Sequence, residues 1–138
     1  MGPIDPQIFS MILLASRAFT VSVALICAVI DAESSWNIHA LGDRDENQIV
    51  HSFGLMQLND KGAGAGYTQD QLLDPYFNIM AGTEYLKACL DAFPNNLKLA
   101  ISAYNQGIGG AAKRGYGFNE NYVNNVLSLW EKYKKEIK

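Results

Sequence analysis

What this chain has little of narrows its chemistry before any motif is considered. Its 138 residues include only two cysteines, two histidines and four prolines. Cys27 and Cys89 each sit in an apolar helical pattern, outside any Cys-x-x-Cys or Cys/His spacing, so neither suggests a metal. Both read as buried free thiols, with a disulfide as the alternative, and they do not fix the redox compartment. His39 and His51 lie in loops without a third ligand, so no metal site and no cofactor are expected. Basic residues are also short: 11 Lys and Arg against 14 Asp and Glu give a net charge of −3 and a pI near 5.2. Such a surface has no diffuse positive field, and nucleic acid is not an expected partner.

Extended alternating strand patterns are missing too, and so are linkers and repeats. The fold class expected is therefore all-α or nearly so, in a single domain over residues 1–138. Hydrophobic residues make up 49% and charged ones 18%, enough to build a core and too apolar for disorder. A monomer is expected.

The longest apolar run, residues 11–30, lacks the continuity of a membrane span, because Arg17 interrupts it and Ser16, Thr20 and Ser22 weaken it. It also lacks the features of a signal peptide: no Lys or Arg precedes Met11, and cleavage after the run would leave Glu33 almost at the new terminus. Two core helices, about 6–17 and 21–32, joined near Phe19 and Thr20, fit better. No stable membrane insertion is expected.

The second of these helices leads into Asp31-Ala32-Glu33-Ser34-Ser35-Trp36. A carboxylate at the end of a buried helix is held in place and partly desolvated, which raises its pKa toward the range of a general acid. Glu33 is the candidate catalyst. Residues 37–48 form a polar loop, residues 49–58 are apolar again, and residues 61–67 alternate glycine with alanine. That glycine stretch lacks the phosphate-loop pattern and reads as a close-approach turn. Helical spacing returns from Pro75 through Phe93 and from Leu97 through Tyr104, with Asn95 or Asn96 as cap and Gly107 as stop. Residues 108–117 hold four glycines and read as a loop, and a last helix is expected over about 119–135.

Three segments now line up in order: Glu33-Ser34-Ser35-Trp36, Gly54-Leu55-Met56-Gln57-Leu58 and Ala103-Tyr104-Asn105-Gln106-Gly107. They resemble the Glu-Ser-x-aromatic, Gly-Leu-Met-Gln and Ala-Tyr-Asn-x-Gly motifs of the lytic transglycosylase (SLT) family and its lysozyme-like relatives, including goose-type lysozyme. The likeness runs over about residues 21–122. It implies a helical lysozyme-like domain whose cleft binds the glycan strands of peptidoglycan and cuts the β-1,4 bond between N-acetylmuramic acid and N-acetylglucosamine. Glu33 would be the acid and then the base, since a glycosidic oxygen leaves only once protonated.

By the same resemblance Ser34 would hydrogen-bond in the site, with a local helix-end bond as the alternative. Met56 and Gln57 would form the cleft floor and hold sugar amides, although Met56 alone reads as core. The Tyr104 hydroxyl would reach Glu33 or an N-acetyl group, with Asn105 beside it. Tyr122 would be the family's late tyrosine, in a core or rim role, and Trp36 would pack behind the acid. Hydrolysis would need a second carboxylate. Goose-type lysozymes carry an acid one position after Gly-Leu-Met-Gln, where this chain has Asn59. Asp43, Asp45, Glu46 or Asp60 remain as candidates, and a non-hydrolytic cut ending in 1,6-anhydromuramic acid is the expected outcome. Work in the bacterial wall or periplasm follows, with a phage endolysin as the expected setting. A silent glycan-binding module would explain the groove but not the acid.

Overall fold

The computed structural model describes residues 4–137. Helix α1 (Pro6–Phe19) starts on Asp5, whose side chain accepts from the N–H groups of Gln7 and Ile8, and Pro6 occupies a first-turn position where its missing N–H costs nothing. It stops at Thr20, which takes a left-handed conformation. Helix α2 (Val23–Ser34) is capped by the Ser22 hydroxyl and is buried without a break from Ala24 to Ile30. A helix apolar on every side belongs in the centre of a domain. Each of its fully buried Ile and Val side chains contributes about 1.5–3 kcal/mol. Both helices end two residues later than their periodicity suggests, which brings Glu33 inside the last turn of α2. Among the described residues no helix is long and apolar enough to cross a membrane.

A small antiparallel sheet follows, in the order β1 (Leu41–Gly42), β2 (Ser52–Phe53), β3 (Leu58–Asn59). Leu41 pairs with Phe53, and Phe53 with Leu58. Strands of two residues carry no period of their own, so the sequence offers no sign of them. The glycine and alanine stretch ends at α3 (Gln69–Leu73), a short helix with a full capping box between Thr68 and Gln71. Helices α4 (Pro75–Ala92) and α5 (Leu97–Gln106) stand where their spacing puts them.

The expected loop over 108–117 is overturned. Residues Ile108–Arg114 form helix α6, and Tyr116–Asn119 form a 3-10 turn. Ala111 of α6 is buried, and Gly110 sits so close to Gln106 and Arg114 that a Cβ there would lie 2.4 Å from the Arg114 guanidinium. Packing against α5 decides for helix over the low propensity of the glycines. Helix α7 (Glu120–Glu136) then lies along α2, while α1 packs on α4 and α4 on α5. Cys27 and Cys89 are free and buried.

One residue joins the sheet region to the helices. Asn78 of α4 is fully buried; its Oδ1 accepts the Met56 N–H at 2.7 Å and its Nδ2 donates to the carbonyls of Phe53 and Leu72, both at 2.8 Å. Gly54 is needed beside it, since its φ is +79° and a Cβ there would lie 2.5 Å from Asn78 Nδ2. Replacing Asn78 by Leu leaves three buried backbone groups unpaired at about 1–3 kcal/mol each. Asn78→Leu should therefore lower stability by about 3–5 kcal/mol in urea unfolding; a loss below about 1 kcal/mol would mean that the bonds are made elsewhere.

Candidate functional site

The last turn of α2 opens into a pocket of about 300 Å³. Glu33 lines it together with Asp43, Ser52, Gln57, Asn59, Lys61, Tyr85, Tyr104 and Asn105, so the pocket draws on α2, the sheet, the glycine loop, α4 and α5. The Glu33 carboxyl is largely withdrawn from water. Burial raises its pKa from the ordinary value of 4.5 to about 7; a hydrogen bond from Tyr122 works against the rise, and the nearby charge of Asp43 adds to it. The Tyr122 hydroxyl, carried on α7, donates to Glu33 Oε2 at 2.7 Å. Tyrosine 122 is therefore the acid's direct partner rather than a rim residue.

Tyr104 has a different task from the one expected. Its hydroxyl donates to the Met56 carbonyl at 2.7 Å, which leaves the bond to Glu33 to Tyr122, although the Tyr104 ring does line the pocket. Met56 is fully buried and absent from the pocket wall; its backbone is held by Asn78 and Tyr104, and its side chain packs against Gly82 of α4, where a Cβ would come within 2.5 Å of the sulfur. It is a core residue. Gln57 does line the pocket, in a left-handed conformation, with its amide N–H groups donating to the carbonyls of Ala40 and Gly54 at 3.1 and 3.0 Å. Ser34 lies outside the pocket: its hydroxyl donates to the Ile30 carbonyl one turn back, so the local bond wins over a site role. Asn105 lines the pocket and accepts from Asn119 at 2.9 Å.

Of the four candidate second carboxylates, only Asp43 faces the pocket. It accepts from the Ser52 hydroxyl, and Asn59 Nδ2 lies 3.5 Å away. Asp45 and Asp60 are turned to His51 instead, at 2.9 and 2.8 Å from its two ring nitrogens. Hydrogen bonds to Asp45 and Asp60 raise the pKa of His51, and His51 lowers that of Asp45, so the bridge favours the protonated imidazole. It pins the 43–49 loop to the end of β3. Glu46 does not line the pocket. Ser52, Tyr85 and Lys61 are pocket residues that sequence reasoning missed, because none stands in a motif. No group of His, Cys, Asp and Glu among the described residues could hold a metal.

The raised pKa of Glu33 sets a pH dependence of stability. Between about 4.5 and 7 the folded chain keeps a proton that the unfolded chain releases, so stability falls as pH rises through that window. Glu33→Gln removes the penalty. The variant should exceed the wild type by about 3 kcal/mol in urea unfolding at pH 8 and match it at pH 4; equal gains at both values would mean that ionisation of Glu33 is not the cause.

The model of the Transglycosylase SLT domain family matches residues 10–124. Membrane-bound lytic murein transglycosylase C of Mannheimia succiniciproducens is 30% identical over 130 residues, covering 86% of this chain and 36% of that protein. The protein of the same name from Klebsiella pneumoniae is 35% identical over 115 residues, 72% of this chain and 31% of its own. The chain thus spans about a third of the length of these relatives. The 70 kDa soluble lytic transglycosylase of Escherichia coli superposes with a TM-score of 0.81 at 25% identity, over 98% of this chain and 25% of that one. An inactive mutant of lytic transglycosylase Slt from Pseudomonas aeruginosa shares the fold, with a TM-score of 0.78 at 24% identity and the same coverage. This chain belongs to the transglycosylase SLT domain family.

Proposed function

We propose that this chain cleaves the β-1,4 bond between N-acetylmuramic acid and N-acetylglucosamine in peptidoglycan without consuming water. The observation that carries the proposal is the Glu33 carboxyl, held by Tyr122 at the head of the pocket with a pKa near 7. A carboxyl group that keeps its proton up to neutral pH can pass it to the glycosidic oxygen, and the bond from that oxygen to C1 of the muramic residue then breaks. Glu33 is left as a carboxylate. It takes the proton of the C6 hydroxyl of the same sugar as that oxygen closes onto C1, giving a 1,6-anhydro ring and returning the acid to its starting form. The attacking hydroxyl arrives tethered to the carbon it attacks, an advantage that free water lacks. Tyr122 stabilises the carboxylate between the two steps by donating to it.

Gln57, Asn105 and the ring of Tyr104 form the walls along which the sugars would lie. With the donors of Gln57 engaged by two backbone carbonyls, its contribution to binding is mainly a fixed surface and its amide oxygen. The relatives named above are bacterial and their names refer to murein, so the proposal takes the bacterial wall as the site of action and peptidoglycan strands as the partner. A phage lysin would use the same chemistry on the same polymer. A monomer suffices, since every side chain invoked comes from one chain.

Hydrolysis is a second reading, favoured by one observation: the Asp43 carboxylate faces the same pocket and could activate a water. The products decide. Digestion of purified peptidoglycan followed by mass spectrometry should give muropeptides ending in 1,6-anhydromuramic acid, lighter by one water than reducing-end products. Reducing ends alone, lost in Asp43→Asn, would establish the hydrolytic route instead. Glu33→Gln should reduce cleavage at least about 1,000-fold, as expected for loss of an essential acid, and cleavage by the wild type should fall off above about pH 7 as Glu33 ionises. Near-original clearing by Glu33→Gln would remove it from the mechanism.

A further inference from the structure

Helix α2 ends in an unusual way directly after the acid. Ser35 and Trp36 are both left-handed, with φ of 51° and 67°. Two consecutive non-glycine residues in that region, one of them bulky, persist only where surrounding contacts hold them. Trp36 is held by Tyr133 of α7. Its indole Nε1 donates to the Tyr133 hydroxyl at 2.9 Å, and the two rings meet edge to face with centroids 6.0 Å apart. The same hydroxyl donates to Asp31 Oδ2 at 2.7 Å. One fully buried hydroxyl therefore joins the residue two before Glu33 to the residue three after it.

Tyr122 and Tyr133 are eleven residues apart on α7, about three helical turns, and so project from one face of it. One hydroxyl contacts the acid, and the other contacts the side chains of Asp31 and Trp36 on either side of the acid. For a side chain serving only to fill volume, phenylalanine would do as well in a core this apolar. The hydroxyl, with a donor on one side and an acceptor on the other, is what distinguishes this tyrosine.

We infer that Tyr133 is a positioning residue for Glu33: through Asp31 and Trp36 it fixes the last turn of α2 where the Glu33 carboxyl meets both Tyr122 and the pocket. The inference rests on the cleavage proposed above, because the geometry it protects is that of a proton transfer. A small displacement of a catalytic group affects the chemical step far more than substrate binding.

The test compares wild type, Tyr133→Phe, Trp36→Phe and Asp31→Asn on one preparation of purified peptidoglycan. Tyr133→Phe should keep the helix content of the wild type and a KM within about twofold, while kcat falls about tenfold to a hundredfold. Its alkaline limb should also move, since displacing Glu33 alters both the burial that raises its pKa and the Tyr122 bond that lowers it. Asp31→Asn keeps an oxygen that accepts from Tyr133 and should retain most of the wild-type kcat. An unchanged kcat and an unmoved pH limb in Tyr133→Phe would overturn the inference, and so would a loss matching only the loss of folded protein. If Tyr133→Phe does not fold, the same two readouts on Trp36→Phe decide, with wild-type values again overturning it. If the wild type itself cleaves no peptidoglycan, the cleavage reading fails separately. The NMR titration of Glu33 in wild type and variant then tests the positioning alone, and an unaltered titration counts against it.

Discussion

A carboxyl group kept out of water with a second carboxylate nearby is the demand around which this molecule is built. Burying such a group costs free energy unless it stays protonated or finds a donor, and Glu33 does both. Delivering it to the pocket requires a helix that runs through the centre of the domain, which is why α2 is apolar on every side. It also requires a second long helix laid against the first, since the donor, Tyr122, comes from α7. The polar groups around the acid are correspondingly occupied. The Tyr104 hydroxyl and the Gln57 amide both bond to backbone, so this part of the pocket wall is fixed before any substrate arrives.

The helices and the acid could be read from the chain because both follow from spacing: apolar residues at helical intervals mark α1, α2, α4, α5 and α7, and Glu33 follows directly on the longest of these runs. What spacing does not encode is the direction in which a side chain points. Tyr104 and Tyr122 were both recognisable as candidates, yet only coordinates reveal that the first bonds to Met56 and the second to the acid. Asp43, Asp45, Glu46 and Asp60 are equivalent in sequence. In space His51 draws two of them away and leaves Asp43 facing Glu33. Asn78 gave no signal at all, because an asparagine among the apolar residues of a helix looks like an interruption until its three backbone partners, Phe53 and Met56 more than twenty residues away and Leu72 on the preceding helix, are seen.

Local rules lost to packing in a few places. Helix α6 forms despite its glycines because one face is covered by α5, whereas α3 holds at five residues by a local device, its complete capping box. Ser34 goes the other way: tertiary structure offers its hydroxyl nothing better than the carbonyl one turn back. The sheet gathers its own small cluster of Phe53, Leu58 and Leu72, apart from the main core around α2, and the pocket lies where these two packing units meet.

The two cysteines give the domain a property unrelated to its chemistry. Cys27 lies in α2 and Cys89 in α4; both thiols are buried, and burial pushes each up to about 12. Oxidation and disulfide exchange proceed through the thiolate, a form that neutral pH leaves almost unpopulated at such values and that solvent cannot reach here. Once folded, the domain therefore offers neither thiol to oxidants or to disulfide exchange at neutral pH, whatever the redox poise of its surroundings.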